Sequence, residues 1–303
     1  MPETPSHAPL RLGKSALTLS PMAWGMWRFR RNDVAAAQRL VEAALDAGMT
    51  LLDTADIYGF GGGGAFGAAE ALLGRVLAAA PHLRERFVLA SKSGIIPGVP
   101  YDSSDAYLTS AVEASLRRLG AGRIDLYQIH RPDVTTHPAD LAATLDRLRR
   151  EGKIGEAGVS NFTAAQTAAL QAHLPFPLAA TQIEFSPLYI SPITDGVLDQ
   201  AMELGLTVLA WSPLAQGRLG DAAEGSLRVE AVRAALDAVA AAHGVSRTQA
   251  AYAWVRGHAS APIPIVGSQR PERIAEAAGA LTLTLSKAQW YRVLTAARGE
   301  PLP

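Results

Sequence analysis

Cysteine is missing altogether from the 303 residues. That excludes disulfides, thiolate metal sites and a catalytic thiol. An excess of one charge is missing too, since 28 basic residues balance 28 acidic ones. No nucleic-acid partner is expected, because phosphate neutralisation needs clustered lysine and arginine. Apolar runs long enough to span a bilayer are absent, so no membrane partner is expected either. The segment Met1–Pro9 is polar and proline-rich. It lacks the basic-then-apolar order of a signal peptide and is expected to be flexible. These absences fit a soluble, cytoplasmic protein.

What is present is a hydrophobic content of 49%, enough to bury a large core. Leu10–Leu12 and Leu17–Leu19 flank Gly13-Lys14-Ser15 and predict an N-terminal β-hairpin. From Pro21 onward, short apolar runs alternate with helix-periodic segments. The runs are Pro21–Trp24, Thr50–Asp53, Phe87–Lys92, Ile124–His130, Ala157–Ser160, Ala180–Ile183, Thr207–Trp211 and Pro262–Val266. The helices between them are bounded by capping residues, with Asn32 or Asp33 at the start of the first and Gly48 behind it. Eight strand-then-helix units imply a parallel α/β sheet with right-handed crossovers. Such a sheet closes into a (β/α)8 TIM barrel or stays open and doubly wound. The expected arrangement is the barrel, as one domain over residues 1–303, with an extra C-terminal helix near Ser286–Ala297.

The residues at the strand ends carry the chemistry. Asp53, Lys92 and His130 close the second, third and fourth runs, Ser160-Asn161 the fifth, Gln182 and Glu184 the sixth, Trp211-Ser212 the seventh and Gly267-Ser268 the eighth. In a parallel barrel these ends share one mouth, where active sites are built. Asp53, Lys92 and His130, with Tyr58 five residues past Asp53, form a coherent set for carbonyl reduction. Hydride delivery to a carbonyl carbon leaves charge on oxygen, which a positioned acid must protonate. Tyrosine, with a pKa near ~10, is a weak acid unless a neighbouring ammonium stabilises its anion. A carboxylate keeps that ammonium charged, and a histidine can hydrogen-bond the substrate oxygen.

Leu52-Asp53-Thr54-Ala55-Asp56-Ile57-Tyr58-Gly59 resembles the D-T-A-x-x-Y-G signature of aldo-keto reductases. Leu89-Ala90-Ser91-Lys92 resembles the strand that carries the family's lysine, Ile124–His130 its D-L-x-x-x-H strand, and Gly158-Val159-Ser160-Asn161-Phe162 its G-x-S-N-F. The likeness runs in order from about Leu12 to Leu294. It implies that Tyr58 is the acid, that Lys92 and Asp53 tune it, and that His130 orients a small aldehyde or ketone. It also implies that Ser160, Asn161 and Gln182 hold a nicotinamide carboxamide while Trp211 stacks on the ring. Ser212, Pro213, Leu214, Gln216, Gly217 and Arg218 resemble the segment over a pyrophosphate. Gly267, Ser268, Gln269 and Arg273 resemble the segment for a 2′-phosphate, and Gly25, Met26 and Trp27 are expected at the cofactor as well. NADPH/NADP+ is therefore the implied cofactor. Gly267 replaces a lysine of many members and Ala277 an asparagine, with Arg270 a candidate substitute.

Blander readings apply elsewhere. Gly59–Gly64 formally contains G-x-G-x-x-G but stands too far behind its strand for a Rossmann fingerprint, and reads as a loop. Asp56 reads as a loop or cap residue. Trp24 and Trp27 fit core and pocket wall equally. The histidines other than His130 lack metal-ligand spacing. Two other functions use the same barrel: a nucleotide-sensing regulatory subunit, and a metal-dependent hydrolase. The hydrolase would need paired histidines early in the chain.

Overall fold

The computed structural model describes residues 8–30, 33–60, 64–220 and 225–302. The flexibility expected of Met1–Pro9 falls chiefly on residues 1–7, outside that range, as do Asn32 as a cap and residues 61–63 of the glycine loop. Strands β1 (Leu10–Arg11) and β2 (Thr18–Leu19) form the predicted antiparallel hairpin. Eight parallel strands follow: β3 (Ala23–Gly25), β4 (Leu51–Asp53), β5 (Val88–Ser93), β6 (Ile124–Ile129), β7 (Ile154–Ser160), β8 (Ala180–Glu184), β9 (Thr207–Trp211) and β10 (Ile263–Val266). They close into a barrel in chain order, with β10 pairing back onto β3, so the open-sheet alternative is excluded.

Helices α1 (Val34–Asp46), α2 (Ala68–Ala79), α3 (Asp105–Leu119), α4 (Pro138–Arg150), α5 (Ala164–Gln171) and α6 (Val197–Leu204) alternate with the strands. After β9 come α7 (Leu227–His243) and α8 (Arg247–Arg256); α9 (Pro271–Ala278) follows β10, and α10 (Lys287–Arg298) is the extra C-terminal helix. Local chemistry sets their ends. Asp33 caps α1 by accepting from the Ala35 amide, and Ser104 caps α3, which Gly120 ends in a left-handed conformation. Reciprocal capping boxes start α5, α8 and α10. The α10 helix is fixed to α8 by Trp254 and Trp290, stacked 5.0 Å apart, each indole N–H bonding the other's carbonyl at 3.0 Å.

Several boundaries differ from expectation by one to three residues. The β3 strand starts at Ala23 rather than Pro21. The β7 strand begins at Ile154, not Ala157, because Gly155 and Glu156 interrupt its apolar pattern while still pairing with β6. The α6 helix, expected from near Thr194, begins at Val197, because Ser191–Ile193 turns as a 3-10 helix and Gly196 is left-handed. Among the described residues no helix is long and apolar enough to cross a membrane.

The core has two parts. A shell of aliphatic and aromatic residues fills the space between strands and helices. A smaller cluster fills the barrel: Ala23, Leu51, Val88, Ala90, Leu126, Leu209, Ile263 and Ile265, joined by Leu12 and Leu19 of the hairpin. The hairpin is the floor. Gly13 donates to Thr207 at 2.8 Å, at the start of β9, and a Cβ on Gly13 would lie 2.6 Å from the Ala179 carbonyl oxygen. Above the apolar filling, toward the mouth, the inward positions turn polar: Asp53, Lys92, Gln128 and Gln182 are all buried.

Helix α2 meets α3 through one close approach. A Cβ on Gly74 would lie 2.0 Å from the Arg118 carbonyl oxygen. Alanine would gain about 1 kcal/mol of helix propensity there. Rigid backbone cannot yield to such a contact, and overpacking costs about 1–3 kcal/mol or more. Gly74→Ala is therefore expected to lower stability, read as a lower urea midpoint at unchanged slope. A higher midpoint would show that the two helices separate freely.

Candidate active site

The loop after β4 is built to bring a side chain back over the mouth. The Thr54 amide bonds the Ala90 carbonyl and the Asp56 amide the Lys92 carbonyl, both at 2.9 Å, so the chain continues along β5. It then turns at Ala55–Tyr58, and Ala69 at the start of α2 bonds the Tyr58 carbonyl at 3.1 Å. Tyr58 is thereby laid over β5. Lys92 is fully buried and donates to both oxygens of Asp53 at 2.9 and 2.8 Å, to the Thr54 carbonyl at 2.8 Å and to the Tyr58 hydroxyl oxygen at 3.2 Å. Because the lysine donates, the phenol's own proton stays available. His130 follows β6 and meets the Tyr58 ring edge-on at 5.7 Å, while Trp27 meets its other side at 5.1 Å. The four residues singled out from the strand ends thus converge.

Burial and charge set their protonation. Burial draws the Lys92 ammonium down, but Asp53 and then Tyr58 more than offset it, and its pKa stands above 10.5. Burial lifts the Tyr58 phenol above 10.0. Lys92 opposes that shift and Asp53 adds to it. The expected lowering by lysine is present, but burial outweighs it. Burial, then Lys92 and Arg131, push His130 well below 6.5, so at neutral pH its imidazole is uncharged. Its Nδ1 is buried and has no hydrogen-bond partner among the described residues.

A cavity of about 980 Å³ runs from this cluster along the mouth. Gly25, Trp27, Ser160, Asn161 and Gln182 line its inner part; Trp211, Ser212, Pro213, Leu214, Gln216 and Gly217 one side; Gly267, Ser268, Gln269, Arg270 and Arg273 the far end. Met26 and Arg218 lie off this wall. Met26 is buried beneath it, and Arg218 turns back to the Ala215 carbonyl at 3.0 Å. Trp24 is core, its indole bonding the Ser268 carbonyl at 2.9 Å, whereas Trp27 is wall and 53% exposed. Asn161 is a hub: it donates to the His130 carbonyl at 3.2 Å and to the Ser160 hydroxyl at 2.8 Å, and accepts from the Trp211 indole at 3.0 Å. It holds φ at 61°, and Ser212, Ala215 and Gln216 also have positive φ. Such backbone costs about 1–3 kcal/mol per residue and concentrates at ligand-binding sites.

Three features escaped the sequence reading. Gln128 approaches Asp53 at 3.4 Å, and counting back two from His130 on a period-2 strand would have placed it inward. Gln182, expected toward the cofactor, also donates to Asp53 at 2.9 Å. Asp56 is fully buried, accepts from the Tyr107 hydroxyl at 3.3 Å and has a pKa raised well above 3.8 by burial and Glu70. Among the described residues no three His, Asp or Glu gather as a metal cluster.

Comparison with known proteins agrees with this architecture. The profile of the aldo/keto reductase family matches residues 21–297. A 6-dehydroglucose reductase of Novosphingobium aromaticivorans is 56% identical over 97% of this chain and 96% of its own length. A 6-dehydroglucose reductase of Agrobacterium fabrum is 36% identical over 94% of this chain and 96% of its own. Oxidoreductase YdhF of Escherichia coli is 38% identical over 94% and 95%. The crystal structure of the thermostable aldo-keto reductase Tm1743 with the inhibitor epalrestat shares the fold at a TM-score of 0.81, with 23% identity, covering 95% of this chain and 99% of that one. The chain is a member of the aldo/keto reductase family.

Proposed function

We propose that this chain reduces the aldehyde of an oxidised hexose, of the 6-dehydroglucose kind, to the primary alcohol with NADPH. The observation that carries the reductase reading is the Tyr58 hydroxyl 3.2 Å from an ammonium that Asp53 holds at 2.8 and 2.9 Å. The two relatives named for 6-dehydroglucose support the substrate class. The residues present fit a nicotinamide cofactor. The cavity is long, carries the Trp211 ring and the Asn161 amide near the cluster, and ends at Arg270 and Arg273 beside the start of α9. When bound, the cofactor supplies hydride to the carbonyl carbon.

The chain's own residues handle the oxygen. The neutral His130 fixes the carbonyl oxygen beside Tyr58, whose proton is not engaged by Lys92. Tyr58 releases that proton to the developing alkoxide, and Lys92 stabilises the tyrosinate left behind. Asp53 keeps Lys92 charged throughout. A proton from water then restores Tyr58.

The test is titration with NADPH and NADH by nicotinamide fluorescence, followed by addition of the 6-aldehyde of glucose and of simple aldehydes. Tight NADPH binding with oxidation by the sugar aldehyde is expected. Binding without turnover of any aldehyde would favour the nucleotide-sensing role. Arg273→Ala is expected to raise the KM for NADPH by about 10- to 100-fold, the worth of a charge-assisted phosphate contact. The KM for NADH should move far less. Equal effects on both would place the 2′-phosphate elsewhere.

A further inference from the structure

We infer that Arg131 is the specificity-determining residue of this site: its guanidinium binds a pair of acceptor oxygens, a carboxylate or a vicinal diol, on the part of the substrate distal to the aldehyde. The inference rests on the reductase reading but not on the sugar. Arg131 directly follows His130, lines the cavity and is half-buried there. Its guanidinium stands 5.8 Å over the Trp211 ring. Among the described residues it makes no hydrogen bond or ion pair.

The contrast with other arginines is instructive. Arg84, Arg118, Arg147 and Arg247 each hold a carboxylate within 2.7 Å. A half-buried guanidinium that declines such a partner keeps its five donors for something that arrives. Glu184 feels the charges of Arg218 and Arg131 but is not ion-paired with either. Arg28 and Arg30 also line the cavity, whose lining carries more basic side chains than acidic ones.

The position is also held rigidly. Pro132 follows, and Asp133 accepts from the Ser103 amide at 3.0 Å, the Thr135 amide at 2.9 Å and the Thr136 hydroxyl at 2.7 Å. On the other side, Asn161 links the His130 carbonyl to the Trp211 indole. The backbone that carries Arg131 is therefore held next to His130, and the Trp211 ring is the contact that places its guanidinium. A fork anchored one residue from the imidazole reads the part of the substrate beyond the reacting oxygen.

The experiment compares kcat/KM for 4-carboxybenzaldehyde, the 6-aldehyde of glucose and the apolar 4-methylbenzaldehyde, in the wild type, Arg131→Ala and Arg131→Lys. In the wild type both oxygen-bearing substrates should exceed 4-methylbenzaldehyde. In Arg131→Ala the ratio of one or both to 4-methylbenzaldehyde should fall by about 10- to 100-fold, chiefly through KM. Arg131→Lys, which keeps the charge but not the fork, should recover part of the carboxylate ratio and little of the diol ratio. A fall confined to the carboxylate identifies an anionic substrate, and a fall confined to the sugar a diol. If Arg131 served only to hold Trp211, all three aldehydes would decline together with NADPH affinity and the ratios would stay put, which would overturn the inference. Turnover of 4-methylbenzaldehyde alone would overturn it and the sugar reading, while leaving the reductase reading intact. No turnover of any aldehyde would overturn all three.

Discussion

Tyr58→Phe is expected to lower kcat for aldehyde reduction by about 10²- to 10⁴-fold, the usual worth of a positioned general acid. The substitution removes one oxygen and leaves the ring between Trp27 and His130. Binding of NADPH should change little, so the loss falls on kcat rather than on cofactor affinity. The wild-type pH profile carries a matching signature. Burial holds the Tyr58 phenol above 10.0, so the acid form persists through neutral and mildly alkaline pH. Reduction should therefore not lose its acid until above pH 10.0. Rapid reduction by Tyr58→Phe under single-turnover conditions would assign the proton to another group.

Asp53→Ala is expected to have the largest effect on stability, about 3–5 kcal/mol, because it strands a fully buried ammonium without its counter-ion. The sign with pH can be worked out. In the wild type the folded Lys92 pKa lies above its unfolded value of 10.5. Its contribution is fully present below 10.5 and is lost as pH rises through the folded pKa. Without Asp53, burial is the leading influence and draws Lys92 down. The unfolded variant then binds a proton that the folded one does not, so the variant gains stability as pH rises toward 10.5. The stability gap should be widest near neutral pH and narrow on the alkaline side. Denaturant titrations of both proteins at pH 7 and pH 9.5 measure it; a gap that widens with pH would mean that Lys92 does not depend on Asp53 for its charge. Asp53→Asn keeps the shape and should lose less stability, yet it should lose turnover.

Much of the barrel is legible because its strands are largely buried on both faces and read as apolar runs, from the second onward closed by polar residues at the mouth. Asp53, Lys92 and His130 were found that way. What stayed hidden follows from the same geometry. On β5 and β6 both faces are buried, so alternation is masked, and Gln128 was not separated from its neighbours although it points at Asp53. Arg131 gives no signal because the residue after a strand end looks like any loop cation; its place on the cavity wall over Trp211, without a carboxylate partner, sets it apart. Asp56, expected as a loop or cap residue, does lie in the turn after β4, but sequence cannot show that Glu70, fourteen residues on, is buried beside it. The β7 strand was shortened because a glycine and a glutamate in a row mimic a turn.

The N-terminal hairpin has a consequence for the traffic of the reaction. With Leu12 and Leu19 at the lower end and aliphatic side chains filling the barrel above them, the described residues close the interior from below. In the proposed reaction, carbonyl compound, alcohol and the proton that recharges Tyr58 would all pass through the mouth. An alcohol over Tyr58, itself only 8% exposed, would then stand between that residue and bulk water. In the proposed reaction, departure of the product would thus also be the event that reconnects the spent phenolate to solvent.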